Sequence, residues 1–587
     1  MSKFKTKKVI RKKNSIHYHS IPLDGESKQD ILNNSKVFVL YAGGDSSESG
    51  SNYIRKELLS RGWIERMPPC RINKGHHVNF SGMKYRSKLT YKNYDRNKNE
   101  TPDESLDLLI PKFIWTRVYS DINWRTLKDF QIICKFKNTK NVIGKKNALI
   151  NTLKLRANKE DVNEYFPKSF DLSIENDRRQ FIFLYLFYAS FNILKMRKIW
   201  NPNKIFIKLA VNILNSYLEH GIFIPKLFNP VLLHLLLQFT YEKTGTSFDS
   251  RSLKKSEYDL KTCLVDINPF KTEETAIYNK KFLYDNNFYI CAKKGIELYK
   301  NLNFNEKCDE NYNEKYNENY DKVIDELLKM VSNKDKSFLS GSKNVWIIKP
   351  QSDNKGNGIF CENRLDLILS FITKSDNFQK HIIQRYCELP LLVNNIKFDI
   401  RQWVIIKKWD PPSVYIFNKF YLRFSSKPYN IDDIRDRKSH LTNQAINNPL
   451  GKNGYGDSNV SYHDWASCNT WTSDELYEHL KKKDLYNEWI NKTMPNIRKA
   501  IYKTCQAGSS EIIGRENTYE LLGFDFLVDQ NLNPWLLEIN LSPALIKRSK
   551  THECLLPLLH KSMIELIVDN MGKTPKKAGL FELITLD

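Results

Sequence analysis

The chain has 587 residues, with 92 Lys and Arg against 67 Asp and Glu and a formal net charge of +25. That length excludes a single small domain and leaves room for roughly three to five folding units, while 41% hydrophobic and 27% charged residues supply real cores and exclude a mainly membrane-embedded chain. A positive surplus of this size favours acidic partners, whether nucleic acid, anionic lipid or an acidic polypeptide tail, and does not choose among them.

Residues 1–34 are basic and polar, with no apolar signal core behind the basic run, and read as a mobile arm of a chain that is not secreted. A strand is expected over 35–41, a helix over 52–61 stopped before Gly62, and a strand over 63–67. Further apolar segments follow at 106–115 and 130–136, and together these make an N-terminal α/β domain over 35–174. Residues 175–302 turn to long apolar runs and read as a mainly helical insertion. Within it, 181–194 is short and 222–239 is broken by two prolines, Lys226, Asn229, His234 and Gln238, so both are buried helices rather than bilayer spans. Asn, Glu, Tyr and Lys dominate the stretch that follows, and 303–340 reads as a low-complexity linker or surface insertion. A second α/β unit covers 341–571, and 572–587 reads as a lysine-bearing tail. Ten cysteines without a CxxC pair suggest free thiols in a reducing compartment.

The second unit carries the chemistry. A short apolar strand over 345–349 runs through Pro350 into a loop where Gly356 and Gly358 let the backbone approach an anion, with Lys349 and Lys355 to balance phosphate charge. The GxxxxGK[ST] order of a P-loop is missing, and an ordinary lysine-tipped hairpin is the alternative. Over 397–406 the two-residue strand period puts Lys397, Asp399 and Arg401 on one face and Phe398 and Ile400 on the other. That pattern suits the floor of a binding cleft, or else an ion-paired solvent face.

Two further strands, 519–528 and 535–540, read as a tight antiparallel hairpin. A turn centred between Asn531 and Leu532 sets Asp525 opposite Glu538. Asn540 shares the Glu538 face, leaving Phe524, Phe526, Leu537 and Ile539 for a core. Facing carboxylates repel, and Mg2+, which takes oxygen ligands and bridges carboxylates to nucleotide phosphates, removes that penalty. The alternative is an acidic solvent face neutralised by lysines.

These segments stand in order as Trp346-Ile-Ile-Lys-Pro350, Lys355-Gly-Asn-Gly-Ile359, Gln384-Arg-Tyr-Cys-Glu-Leu-Pro-Leu-Leu392, Lys397-Phe-Asp-Ile-Arg401, Tyr421-Leu-Arg-Phe-Ser425, His440-Leu-Thr-Asn443, Gly523-Phe-Asp525 and Leu536-Leu-Glu-Ile-Asn540 with Ser542-Pro543. The set resembles the catalytic core of the tubulin tyrosine ligase-like family, of the ATP-grasp group. The fold class it implies is α/β (α+β), an ATP-grasp-like core with an N-terminal α/β domain and a helical insertion.

By that resemblance the cofactors are ATP and Mg2+. Lys349 would contact nucleotide phosphate, and Lys355, Gly356, Gly358 and Ile359 would cover it. Gln384, Arg385, Tyr386 and Cys387 would form the adenine hinge, with Lys397 on the adenine side, Asp399 by the ribose, and Thr442 and Asn443 completing the nucleotide site. Arg401 and Arg423 would face phosphate or the acceptor carboxylate and, with Glu538, form the catalytic set. Asp525, Glu538 and Asn540 would hold the metal.

Upstream, Phe113-Ile-Trp-Thr-Arg117, Asp121-Ile-Asn-Trp-Arg-Thr-Leu127, Tyr165-Phe-Pro-Lys168 and Asp177-Arg-Arg-Gln-Phe181 resemble the glycylase branch, although Lys355 stands where arginine is usual. The implied reaction makes an acyl phosphate from ATP and a glutamate side chain, which glycine then attacks to give an isopeptide bond. The implied partners are tubulin C-terminal tails and microtubules, with glycine as co-substrate, no nucleic acid and no transmembrane segment. The implied setting is the cytoplasm and cytoskeleton, at a ciliary or flagellar axoneme or basal body. A glutamate ligase, a non-catalytic microtubule-binding protein and, more weakly, a nucleic-acid binder stay open as alternatives.

Overall fold

The computed structural model describes residues 36–41, 50–66, 110–202, 204–220, 230–244, 314–334, 341–351, 356–373, 380–447 and 468–586. The arm over 1–34 and most of the second half of the helical insertion lie outside them. Among the described residues the strands form three sheets.

The first sheet takes β1 (Val37–Leu40), β2 (Ile64–Arg66), β3 (Phe113–Trp115) and β4 (Ile132–Ile133) in the order β2-β1-β3-β4, every pairing parallel. Parallel neighbours need a crossover, and the helix Gly50–Leu59 supplies the one between β1 and β2. Val37 to Leu40 are all buried, which accounts for an unbroken apolar run where a half-exposed strand would alternate.

The second sheet joins β5 (Ser169–Asp171), β6 (Trp346–Pro350), β7 (Phe360–Glu362) and β8 (His381–Arg385) in the antiparallel order β5-β8-β6-β7. Residues 169–171 therefore serve the later unit, not the N-terminal domain to which the 35–174 boundary assigns them. The helical insertion docks on the back of this sheet. Helix Glu175–Lys195 packs Phe181, Tyr185 and Tyr188 against Phe170, Trp346, Ile348 and Ile383, and helices Lys204–His220 and Pro230–Lys243 pack on it in turn.

The expected 303–340 linker contains a helix, Glu314–Lys334. Ile324, Leu327, Leu328 and Val331 recur at helical spacing and join the same core, while Asp321 and Asp325 accept hydrogen bonds from Arg197 at 2.6 and 2.8 Å. Low-complexity composition concealed this apolar stripe. No described helix is long and apolar enough to cross a membrane.

The largest sheet adds β9 (Leu392–Val393), β10 (Ile396–Lys408), β11 (Ser413–Phe424), β12 (Thr470–Thr472), β13 (Glu520–Val528), β14 (Pro534–Asn540), β15 (Lys577–Ala578) and β16 (Phe581–Leu583). Its order is β14-β13-β10-β11-β16-β15, with β9 on β10 and β12 on β11. The expected tail over 572–587 is thus an edge hairpin, because Phe581 is fully buried and β16 pairs with β11 from Tyr415 to Phe417.

One face of this sheet buries Phe398, Ile400, Leu422, Phe424, Phe524 and Phe526 beneath the helix Met494–Gly508. The other face changes character along β10. Trp403 and Ile405 lie under the first sheet and the helix Lys550–Ile564, but Lys397, Asp399 and Arg401 extend past that cover. Lys397 and Asp399 form the floor of a cleft whose opposite wall is the second sheet, and Arg401 lies behind Asp525 at its edge.

Candidate active site

On the wall, Lys349 of β6 is buried and donates to Gln384 Oε1 of β8 at 2.6 Å. Burial lowers the Lys349 pKa to about 8; Glu538 opposes that fall, while Lys146 and Lys397 assist it. The free amine therefore sheds its proton near pH 8, and a bound phosphate would restore it. Nucleotide affinity should weaken from about pH 7 to about pH 9, with proton uptake on binding near pH 8. Calorimetry in two buffers of different ionisation enthalpy measures that uptake, and Lys349→Met should abolish it. An uptake unchanged in the variant removes Lys349 from phosphate binding.

Beyond β6, Gly356 and Gly358 have φ of +79° and +66°, in the left-handed region. A Cβ on Gly356 would come within 2.9 Å of Asn443 Oδ1, and one on Gly358 within 2.8 Å of Pro350. The turn thus lies directly against the 440–447 segment, and Arg437 also donates to the Gly356 carbonyl.

The floor is a run of buried hydrogen bonds. Lys397 Nζ donates to Tyr386 Oη at 2.7 Å, and that hydroxyl meets His440 Nδ1 at 2.7 Å. His440 Nε2 lies 2.9 Å from the Asp433 carbonyl. Burial, helped by the Lys397 charge, pushes the His440 pKa down to about 4, so the ring is neutral with Nε2–H donating and Nδ1 accepting. Asp399 accepts from Arg423 Nε and Nη2 at 2.7 and 2.6 Å and from Thr442 Oγ1 at 2.5 Å.

The far end is the β13–β14 hairpin. Asp525 pairs with Glu538 across the ladder and with Arg401 on β10. Its carboxylate accepts from Arg401 Nη2 at 3.0 Å, Arg423 Nη2 at 2.8 Å and Asn540 Nδ2 at 3.1 Å. Burial works against the charged form of Asp525, but Arg401 and then Arg423 outweigh it and hold the pKa below the usual carboxylate range. Glu538 is more open, 31% exposed at its side chain, with Lys146 at 3.7 Å and Asn540 Nδ2 at 3.5 Å.

Leu537 departs from the expected alternation. The ladder slips between Asp525 and Phe526, so Leu536 enters the core and Leu537 joins Cys387, Leu527 and Trp535 as an apolar wall of the cleft. A β-bulge inserts one residue and re-aims its neighbours in just this way.

Residues 272–575 match the family model of the Tubulin-tyrosine ligase family, more than half of the chain. The chain belongs to this family. Tubulin glycylase 3B of Tetrahymena thermophila is 26% identical over 94% of this chain and 44% of its own length. Tubulin monoglycylase TTLL3 of Danio rerio is 25% identical over 97% of this chain and 72% of its own, and Protein monoglycylase TTLL8 of Mus musculus is 31% identical over 44% and 31%. This chain therefore spans less than half the length of the Tetrahymena relative.

As in the ATP-grasp-like plan of the family, the cleft lies between two sheets. Lys349, Ile359, Gln384, Tyr386, Cys387, Lys397, Asp399, Arg423, Thr442, Asn443, Asp525 and Glu538 all line it. Arg401 reaches it through Asp525, and Asn540 through both carboxylates. Arg385 touches the cleft, but its guanidinium turns to the other side, bonded to Asn344 Oδ1 at 2.9 Å and stacked over Tyr188. Any adenine contact from that residue is left to its backbone. Lys355 lies outside the described residues.

Lys146 is a site residue that the sequence reading missed. It opens the helix Lys146–Arg156 and faces Glu538 from a segment almost 400 residues upstream of it. Its signal was Lys145-Lys146 at a helix N-terminus with no acidic residue in the first turn, where the macrodipole disfavours cations unless an anion is near.

Proposed function

We propose that this chain is an ATP-dependent ligase that joins glycine to glutamate side chains of tubulin C-terminal tails, initiating the modification on microtubules of a cilium or flagellum. The observation that carries this reading is the alignment across one cleft of a buried lysine on the wall, Lys349, an arginine on the floor, Arg423, and two facing carboxylates, Asp525 and Glu538, with Arg401 bonded to Asp525 behind them. The glycylase names of the relatives and the basic surplus of +25, suited to an acidic tail, favour the same substrate.

The nucleotide base would lie against Cys387, Leu527, Trp535 and Leu537, its ribose near Asp399, and its phosphates between Lys349 and the Gly356 turn. The residues at the hairpin fit Mg2+, which takes oxygen ligands: the carboxylates of Asp525 and Glu538 and the amide of Asn540 would hold it. Among the described residues no third acidic, His or Cys ligand joins them. Asn540 presents its NH2 to both carboxylates as placed, and an amide flip turns Oδ1 inward. Bound there, the ion would neutralise charge on the β- and γ-phosphates.

Arg401 and Arg423 are then placed to steady the acceptor carboxylate as its oxygen attacks the γ-phosphorus and ADP leaves. The acyl phosphate is attacked by the glycine amine, phosphate departs, the amine loses a proton, and an amide remains. Guanidinium donors fixed by Asp399 and Asp525 need little reorganisation as charge develops, which is how such sites lower barriers.

Purified chain with Mg-ATP, tubulin and labelled glycine or glutamate tests this directly, read by mass spectrometry of the tails. Glycine on a main-chain glutamate is expected. Glutamate incorporation without glycine, or tubulin binding without ATP turnover, would sink it.

A further inference from the structure

The charged face of β10 ends at Arg401, and two separate routes lead from there to arginines, Arg117 and Arg548, that have no ion-pair partner among the described residues. The first runs along the chain after β14. A Cβ on Gly523 would lie 2.9 Å from Arg401 Cδ and 3.2 Å from Pro543 Cβ, so Pro543 packs beside the Arg401 stem. The adjoining Ser542 donates to the Arg117 carbonyl at 3.1 Å. The second route runs through the helix Lys550–Ile564. Tyr421, the ladder partner of Arg401, meets the His552 ring edge-on at 4.9 Å, and His552 Nδ1 lies 2.7 Å from Ser549 Oγ at the helix cap. Arg548 is the preceding residue. Ser549 also accepts from Thr470, which pairs with Arg423 in the sheet.

Among the described residues neither guanidinium forms an ion pair or a side-chain hydrogen bond, although Lys547, next in sequence, pairs with Glu553 at 2.6 Å. The two charges also act on each other and on the cleft. Arg117, although exposed as a residue, is held below its ordinary pKa by partial desolvation of its guanidinium and then by Arg548. His552 is pushed down to about 4 by burial and then by Arg548, Arg401 and Arg423. Arg117 and Arg548 thus lie near Arg401 and Arg423, just beyond the residues that line the cleft, and among the described residues the acidic partners of that group, Asp399 and Asp525, are already committed to Arg401 and Arg423.

We propose that Arg117 and Arg548 form a carboxylate-binding station just beyond Arg401, which positions an acidic group of the substrates for reaction. The inference rests on the ligase reading, and it deepens that reading by assigning residues to the end of the cleft that the nucleotide does not fill. A carboxylate is the anion of choice because guanidinium forks match its two oxygens. Two sources share this chemistry: a glutamate side chain of the tail and the carboxylate of the incoming amino acid.

The test uses the full chain with R117Q/R548Q, and R117K/R548K as the charge-conserving control. A fluorescein-labelled hexaglutamate peptide is titrated by anisotropy, and KM and kcat for glycine are measured with saturating tubulin. Peptide affinity about tenfold weaker in the glutamine variant, partly rescued by lysine, assigns the station to the tail. A glycine KM about tenfold higher, rising more than kcat changes and with peptide affinity unmoved, assigns it to the amino acid. If neither quantity moves, the proposal is overturned. Should the wild type bind peptide yet ligate nothing, the ligase reading fails, and the binding arm still decides for or against the arginines.

Discussion

Glu538→Gln should lower kcat for ligation by about 10²- to 10³-fold, the range seen when one fixed charge-stabilising group is removed from a preorganised site. The substitution keeps size and one acceptor oxygen, and removes the charge. Glu538 is the more open carboxylate of its pair, near Lys146 and Asn540 rather than locked to an arginine, so its capacity is available to a cation. Its loss also removes an anion that, without a metal, would repel nucleotide phosphate held by Lys349, and the phosphate itself then keeps Lys349 charged.

Metal-free ATP should accordingly bind no worse than in the wild type, and fluorescent-nucleotide titration in chelator checks this. Stability should change by less than ~1 kcal/mol, because Glu538 is about a third exposed and its ion pair is loose. Ligation that continues at the wild-type rate would remove Glu538 from metal binding. Ligation and acidic-peptide binding lost together would show instead that it shapes the cleft.

What could be read from the chain follows from what each feature depends on. The alternation of Lys397, Asp399 and Arg401 against Phe398 and Ile400 is local, since a strand has a fixed period of two, and the ladder places all five as that period requires. Asp525 does face Glu538, but not through the expected turn centre: Phe526, Leu527 and Val528 pair with Leu536, Trp535 and Pro534, which centres the turn on Asn531, and the bulge at Leu537 shifts the register by the one residue that brings Glu538 opposite Asp525. The bulge that sends Leu537 into the cleft leaves no mark on the sequence, because it is settled by how β14 meets β13. Lys146 escaped because its partner is remote in the chain. Phe581 looked like tail because its burial depends on β11, and Ile324, Leu327 and Val331 were diluted among Asn, Glu and Lys. Local period was legible; register and distant pairing were not.

Asp525→Ala should abolish ligation and also destabilise the protein by about 3–5 kcal/mol, as expected when one member of a buried ion network is removed. Two buried arginines would lose a shared acceptor: Arg401 would have no acidic partner among the described residues, while Arg423 would keep Asp399. The sign of the pH effect follows from the depressed pKa of Asp525. Its stabilising contribution is fully present above the unfolded-state pKa of about 4 and is lost as pH falls through the lower folded value. Wild-type urea midpoints should therefore drop steeply below about pH 4, and those of the variant should be flatter there.

A double variant separates fold from chemistry. Arg401→Met with Asp525→Leu removes both charges of the pair and fills the space with apolar atoms, and should recover about 1–4 kcal/mol over Asp525→Ala. Ligation should stay absent, since both the carboxylate facing Glu538 and the guanidinium behind it are gone. Recovery of stability without activity fits an ion pair kept for the reaction. Recovery of both would mean that neither Arg401 nor Asp525 acts on substrate, metal or nucleotide.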